Sequence, residues 1–354
     1  MEDAKFVLSK SKILEQYNKV KSLSDIVSYS SKTNQDVTKI LEEETDCMFS
    51  VHLVNELKHL KDKSRALFIA QAWNNDFIFK LITDGIRNFV VDNEYDLDTL
   101  LKFLKNYDVS KFGKINLLLR LKLKENSIRT EKYFVFGMRA DVINKRLSEI
   151  NKINKINEIG IHFHRKTQNM SEWNLIYELN NIISEENWNI IDIVNIGGGL
   201  PSVYANTNID VFDSIFKKVV DFKEFLNMKK IKLIIEPGRF IAAPSGKLVT
   251  EIMCIDENNI TVNASVYNSD MDAIIVPVKL LVDGELSKIE SQGNDEIHAY
   301  VIKGITPCSM DIFRYKVYLK KPKIGDKLVF INAGAYNFFS DFCDLEKLKT
   351  EVVE

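Results

Sequence analysis

Four short segments of this chain carry side chains able to do chemistry, and each closes a run of apolar, often β-branched residues. Lys32 follows Ile26–Ser31; a lysine amine taken out of water attacks carbonyl carbon. His164 ends Ile159–His164 and precedes Arg165, Lys166 and Thr167; an imidazole offers a flat ring and a titratable nitrogen. Gly197, Gly198 and Gly199 follow Ile190–Ile196, and such a turn lets backbone N–H groups close on a phosphate, with a helix N-terminus behind them. Glu236, Gly238 and Arg239 stand in a Glu-Pro-Gly-Arg string after Ile231, supplying one carboxylate and one guanidinium. Each has a plainer reading taken singly: a solvated lysine, a packed or surface histidine, a tight strand-to-helix turn, a structural Glu236–Arg239 ion pair. The glycines lack the Walker lysine and do not fit GxGxxG.

Side chains this far apart in sequence need a frame that gathers strand ends. From about residue 20 to 243 the pattern alternates short apolar strands with amphipathic helices. Strands are expected at Ile26–Ser31, Met48–Val51, Ala66–Ala70, Asn88–Asp92, Ile115–Leu123, Ile159–His164, Ile190–Ile196 and Ile231–Glu236, as for strands buried on both faces. Asp76–Gly85 and Trp173–Ser184 read as helices, the second with Leu175, Ile176, Leu179, Ile182 and Ile183 apolar. Eight strands joined by helices are the count of a TIM (β/α)8 barrel, with a doubly wound open sheet as competitor. In a barrel all four chemical segments fall on one rim, at the carboxyl ends of the strands.

After Pro244 the texture changes. Strands are expected at Leu248–Ile255, Ile260–Val266, Ala273–Val282, Ile297–Ile302, Phe313–Leu319 and Lys327–Ile331, with turns at Asp256–Asn259 and Asp283-Gly284. This reads as an all-β domain. The strand-like Lys5–Leu8 can join it, and helix Lys10–Leu23 then leads into the barrel. The expected division is 10–243 for the α/β barrel, and 1–9 with 244–354 for a β-sandwich or β-barrel domain.

The 354 residues suffice for such a pair. A formal net charge of -2 gives no electrostatic case for nucleic acid or anionic membrane, and Lys320-Lys321-Pro322-Lys323 reads as a solvated turn. No signal-peptide pattern or bilayer-length apolar run is visible, so a cytoplasmic location is expected. Cys47, Cys254, Cys308 and Cys343 are widely spaced, suggesting neither a metal site nor a disulfide framework.

Together the rim residues fit pyridoxal 5′-phosphate (PLP). A lysine amine joins the cofactor aldehyde, the glycine turn closes on its phosphate, and Arg239 adds charge on the phosphate side. An imidazole stacks on the ring. A carboxylate beside the pyridine nitrogen keeps it protonated, so the ring accepts the electron pair left when CO2 departs. Here the chain resembles the fold-type III PLP decarboxylases, the ornithine, lysine, arginine and diaminopimelate decarboxylase group with its alanine racemase-like barrel. Tyr29-Ser-Ser-Lys32-Thr-Asn34 resembles the family's PLP-lysine segment, Gly160-Ile-His-Phe-His164 its stacking-histidine segment, and Ile196-Gly-Gly-Gly-Leu-Pro201 its phosphate loop. Ile235-Glu-Pro-Gly-Arg-Phe240 is similar to its Glu-Pro-Gly-Arg signature, and Gly334-Ala-Tyr336 to a segment whose tyrosine reaches the phosphate. Tyr267 falls where the family has a tyrosine near substrate. The resemblance implies a barrel plus a β-domain and a head-to-tail homodimer whose active sites are completed by the partner's C-terminal domain. It also implies a cysteine that protonates the carbanion. Cys308 is the candidate, a small buried residue the alternative.

The pattern departs from the family in places. Gly304-Ile-Thr-Pro-Cys308-Ser-Met-Asp311 stands where Gly-Pro-Thr-Cys and an acidic residue are usual: without a gap the family cysteine falls on Pro307 and its acidic neighbour on Cys308, with a one-residue shift Cys308 matches and Ser309 takes the acidic position, and either way Asp311 is the nearest carboxylate. Thr167 replaces a serine near the phosphate, Arg165-Lys166 adds positive charge there, and Ser50 stands where a barrel aspartate is expected, with Asp46 close by. Val276 replaces the arginine that holds a distal carboxylate in diaminopimelate decarboxylases. Asp270, Asp272 and Asp311 are then candidates to face a distal ammonium, with Asp270 and Asp272 as turn residues the alternative. Ornithine or lysine is favoured, with arginine, diaminopimelate, a carboxylated polyamine or a siderophore precursor as alternatives. Rival readings are an amino-acid racemase, disfavoured by Glu236 where racemases place arginine, a PLP-free regulatory homologue, and a phosphate-binding barrel acting on sugars.

Overall fold

A computed structural model describes residues 2–69, 71–123, 136–337 and 339–354. The chain divides into two compact units. One is formed by Tyr17–Pro201 and Asp210–Gly238, the other by Met1–Gln16, Ser202–Ile209 and Arg239–Glu354. Relative to the expected division, residues 10–16, 202–209 and 239–243 fall with the second unit.

The chain opens with strand β1 (Lys5–Ser9) and helix α1 (Lys10–Leu23). Eight strands of the first unit follow: β2 (Ile26–Ser30), β3 (Met48–Val51), β4 (Ala66–Phe68), β5 (Asn88–Val91), β6 (Ile115–Arg120), β7 (Ile156–His162), β8 (Ile193–Asn195) and β9 (Lys232–Ile235). They run parallel in sequence order and close on themselves, β9 pairing with β2 through Ile26↔Ile234 and Val27↔Ile235. Closure decides for the barrel over the open sheet. Several ladders stop short of the expected strands, because apolar burial continues past the last paired residue. Ile69, Phe163 and Ile196 are all buried beyond a strand end. Ala70 lies outside the described residues.

Inside the barrel, Leu67, Ile69, Val90, Leu118, Ile193 and Ile234 form one cluster, with Ile26 and Met48 packed against it. β7 contributes Gly160, because a Cβ there would stand 2.5 Å from the Ile193 carbonyl oxygen and 3.0 Å from the Leu118 side chain. Side chains two apart share a strand face. Two residues beyond these positions come Ser28, Ser50, Asp92, Arg120, His162, Asn195 and Glu236, all buried except Arg120. One step of the pleat thus turns the interior from apolar to polar.

The second unit contains β10 (Gly246–Asp256), β11 (Asn259–Val262), β12 (Leu281–Val282), β13 (Ile297–Lys303), β14 (Ile312–Lys320), β15 (Lys327–Ile331) and β16 (Lys349–Val353). Its sheet runs in the order β12-β15-β10-β11-β13-β14, and β1 joins it antiparallel to β10 and parallel to β16. The expected β-domain joined by the N-terminal strand is present, with short helical turns between its strands. The expected strand Ala273–Val282 is instead a helical turn, Asp272–Ile275, ending in the two residues of β12, since an apolar run this short does not distinguish helix from strand. The expected strand Ile260–Val266 ends at Val262, and Val266 opens a helical turn, Val266–Ser269. There the Ser265 hydroxyl accepts from Tyr267 N while Asn268 Oδ1 accepts from Ser265 N, a capping box that overrides β-branched propensity. β16 has no sequence signal, because all five of its residues are exposed. No helix among the described residues is long and apolar enough to cross a membrane.

Gly160→Ala is expected to lower unfolding free energy by about 1–3 kcal/mol through overpacking against β8. A urea titration of purified protein checks this.

Candidate active site

Lys32 sits in a one-turn 3-10 helix, Ser31–Thr33, between β2 and helix α2 (Gln35–Glu44). Asn34 caps α2, its Oδ1 accepting from Asp36 N at 3.0 Å and Val37 N at 3.4 Å, which fixes where β2 turns into the helix. Lys32 is exposed, so within this chain its amine is not desolvated as expected. It lies near enough to His164 for its charge to disfavour protonation of that ring.

The glycine turn is built on left-handed backbone, with φ of +66° at Gly197 and +111° at Gly199, a region that strains other residues. A Cβ would meet Phe163 O at 2.5 Å from Gly197, Glu236 O at 2.8 Å from Gly198, and Lys166 O at 2.6 Å from Gly199. The Gly198 N–H donates to His164 Nδ1 at 3.2 Å. Thr167 is half-buried on the loop after His164. Arg165 and Lys166 do not add net charge to this loop. Arg165 pairs with Glu172 at 3.1 Å and with Glu178, and Lys166 pairs with Glu172 at 3.1 Å.

Glu236 is buried just beyond β9. Its Oε1 accepts from Asn195 Nδ2 at 2.8 Å and lies 3.5 Å from His162 Nε2. No described residue hydrogen-bonds its Oε2, and that atom is not among the buried unpartnered ones, so it faces accessible space. Burial pushes the carboxyl up, but the His162 ring, His52 and the Asn195 amide outweigh this and hold it at about 2. Burial pushes His164 down to about 4, against the pull of Glu236 and aided by His162, Arg120 and Lys32. His162 is likewise pushed down by burial. The carboxylate of Glu236 is thus favoured in its charged form, while burial disfavours the charged forms of His162 and His164. Arg120, at the end of β6, is held by Asp92 at 2.8 Å.

Three residues here go beyond those expected from the sequence. Asn195 is a polar residue between buried Val194 and Ile196, and His162 shares the strand face of His164; both signals are visible in sequence. His52 is set by a local contact with no such signal. Glu56 Oε1 accepts from His52 N and Leu53 N at 3.0 Å each, and His52 Nδ1 lies 3.9 Å from Glu56 Oε2. Ser50 is buried and bonded to Ser28 Oγ at 2.8 Å. Asp46 precedes β3 at the opposite end of the strand, held by Tyr17 and, at 2.7 Å, by Lys21, so it does not supply the expected barrel aspartate.

In the second unit Arg239 opens the short helix Arg239–Ser245. Its guanidinium makes a bidentate pair with buried Asp272, NH2 to Oδ1 at 3.0 Å, donates to the Tyr204 hydroxyl at 3.0 Å, and lies 4.7 Å from the Tyr336 ring centroid. The guanidinium is thus taken by Asp272 and not by Glu236. This differs from the expectation that Asp272 faces substrate, since its carboxylate is engaged. Asp270 is buried with Oδ2 unpartnered, and burial, reinforced by the Asp272 charge, raises its carboxyl well above the usual range. Burial thus works against Asp270 serving as a charged partner for an ammonium. Asp311 also departs from its expected substrate contact. Its two oxygens accept from Val266 N at 2.8 Å, Ser265 Oγ at 2.9 Å, Thr306 N at 3.0 Å and Thr306 Oγ1 at 2.7 Å, which assigns it to holding the loop. Cys308 Sγ lies 2.9 Å from the Tyr267 hydroxyl, in an open pocket of about 380 Å³ that exposed Ser309 also lines. That contact lowers the thiol and pushes the Tyr267 hydroxyl up to about 12.

The barrel rim fits PLP. The glycine turn is a backbone cradle with no room for side chains, Thr33 Oγ1 beside Gly238 is a buried oxygen without a partner, and Glu236 Oε2 awaits a donor. The family model for the pyridoxal-binding domain of pyridoxal-dependent decarboxylases matches residues 10–243. Diaminopimelate decarboxylase of Methanocaldococcus jannaschii is 25% identical over 219 residues, 60% of this chain and 49% of that protein. Carboxynorspermidine/carboxyspermidine decarboxylase of Campylobacter jejuni is 25% identical over 240 residues, 64% of this chain and 60% of that protein. The matched stretches thus span about half the length of these curated relatives. The crystal structure of lysine/ornithine decarboxylase from Vibrio vulnificus with cadaverine superposes with a TM-score of 0.79 at 19% identity, over 99% of this chain and 94% of that one; it shows a shared fold.

Both shifted groups bind protons more readily unfolded than folded. Stability is therefore full above 6.5, falls as pH drops toward about 4 through His164, and falls again from 4.5 toward about 2 through Glu236. The melting temperature of cofactor-free protein should follow this course, and His164→Asn should flatten its upper limb. Tyr267→Phe removes the hydroxyl that lowers the Cys308 thiol, so alkylation of Cys308 by iodoacetamide near pH ~8 should slow severalfold, read by mass spectrometry of that peptide.

Proposed function

Because the chain belongs to the pyridoxal-dependent decarboxylase family, we propose that it binds PLP at the barrel rim and releases CO2 from a small basic amino acid, ornithine or lysine before others. The observation that carries this reading is Glu236: a buried carboxylate kept ionised, with Oε1 fixed by Asn195 and Oε2 open. The cofactor supplies an electron sink for the pair released when the bond to the carboxyl group breaks. This chain's residues hold and tune it. Lys32 provides the amine that joins the aldehyde. The Gly199 N–H and Thr167 take the phosphate, Gly197 and Gly198, whose N–H groups are held by Asn195 and His164, keep the turn free of side chains, Gly238 keeps the adjoining backbone close, and His164 presents its ring face. Glu236 keeps the ring nitrogen protonated, which favours decarboxylation over racemisation.

Substrate choice rests on Val276, which offers no charge to a distal carboxylate; a carboxylated polyamine precursor is the next candidate, supported by the Campylobacter relative. Cys308, with its thiol lowered by Tyr267, is the proton donor to the substrate carbon. The active form is a homodimer in which Cys308 serves the partner's barrel.

A CO2-release screen of PLP-loaded protein against ornithine, lysine, arginine, diaminopimelate and carboxylated polyamine precursors tests the reading. Turnover of ornithine or lysine is expected, with Lys32→Ala inactive and Glu236→Gln slowed by roughly 10²-fold or more. Full turnover by Lys32→Ala would overturn the mechanism, and release from diaminopimelate alone would overturn the substrate choice.

A further inference from the structure

The last residue of β8 makes two side-chain contacts with opposite demands. Asn195 is fully buried. Its Oδ1 accepts the Gly197 N–H at 2.8 Å, and its Nδ2 donates to Glu236 Oε1 at 2.8 Å. The amide orientation is dictated, because a backbone N–H needs an acceptor and a carboxylate needs a donor. Aspartate would satisfy Gly197 but set oxygen against the Glu236 oxygen. An apolar residue would leave both partners unmatched in a dry interior. Two backbone contacts close the arrangement: the Glu236 N–H donates to Gly197 O at 2.8 Å, and the neighbouring Gly198 N–H holds His164 Nδ1 at 3.2 Å.

We propose that Asn195 is a positioning residue whose single amide sets the glycine turn and the Glu236 carboxylate relative to each other, so that the phosphate end and the ring-nitrogen end of PLP are held at a fixed separation. The inference rests on the PLP-binding reading above and extends it to a residue that touches neither the cofactor nor the substrate. It assigns the turn, the stacking histidine and the carboxylate to one hydrogen-bonded unit, not three independent contacts. The titratable groups facing Glu236 are His162, His164 and His52, with Arg120 and Lys32 acting on those histidines; the variants below leave them intact.

The test uses purified protein titrated with PLP and, separately, with pyridoxal, which lacks the phosphate. Asn195→Asp keeps the acceptor for Gly197 and removes the donor to Glu236. It should weaken both ligands by about tenfold to a hundredfold, because the ring end is shared, and move the acid-side transition of the bound cofactor's absorbance to higher pH, as two facing carboxyls cannot both ionise. Adding Glu236→Gln to Asn195→Asp restores an amide–carboxylate pair in reverse. Cofactor affinity should then recover while kcat stays low, a split that simple loss of stability does not produce. If Asn195→Asp does not fold, Asn195→Ser should show a smaller loss in the same direction. Affinities for PLP and pyridoxal within twofold of the parent protein, with an unchanged pH transition, overturn the proposal. A parent protein that takes up no PLP instead overturns the function proposed above.

Discussion

A carboxylate sealed inside a barrel must be matched by donors or it takes a proton, and the rim of this protein is organised around Glu236 being matched. Its desolvation alone works against ionisation. Asn195 and His162 approach it from the two strands next in line, β8 and β7; His162 pairs with Asn195 and Asn195 with Ile234, and Glu236 stands two residues further along its strand, where the Asn195 amide meets it at 2.8 Å. No loop has to move to complete this set. Burial disfavours the charged forms of the imidazoles of His162 and His164, whereas the Asn195 amide favours the charged form of Glu236.

That arrangement depends on the change of polarity along the barrel axis. The layer of Leu118, Ile193 and Ile234 is filled tightly enough that β7 must carry Gly160. Filling there excludes water from below, so the next layer of Asp92, Arg120, His162, Asn195 and Glu236 acts in a medium where hydrogen bonds and charges count for more than in water. The chemical groups therefore sit on a packed floor, and the apolar layer contributes to function by setting the dielectric under them.

Much of this is legible in the amino-acid sequence. Short apolar runs with Lys32, His164, the three glycines and Glu236 at their ends mark a barrel rim, because in parallel strands buried on both faces the end is where polarity returns. Closure is not legible there, since pairing of Ile26 with Ile234 is a contact over most of the chain. The second unit is harder. The capping box at Ser265 and Asn268 outweighs the apolar character of Val266, the run after Asp272 folds as a turn of helix, and Lys349–Val353 pairs with β1 while every side chain remains exposed. Hydrophobic pattern reports burial, and where structure is held by backbone pairing or caps alone it reports nothing.

The same distinction explains why acidic residues are a poor guide to substrate contacts. Asp270, Asp272 and Asp311 stand close to the segments expected to hold a distal ammonium, but their composition does not reveal that each is consumed inside its own unit. Asp272 neutralises Arg239, Asp311 gathers four donors from the loop between β13 and β14 and from the turn at Ser265, and the charged form of Asp270 is disfavoured by burial and by the neighbouring Asp272. The charge of that unit is therefore structural. What its loop leaves open to chemistry is the Tyr267–Cys308 contact, where a hydroxyl lowers the thiol beside an open pocket. The acidic residues of that unit are therefore accounted for by burial and by partners within it, and their number alone carries no information about a bound charge.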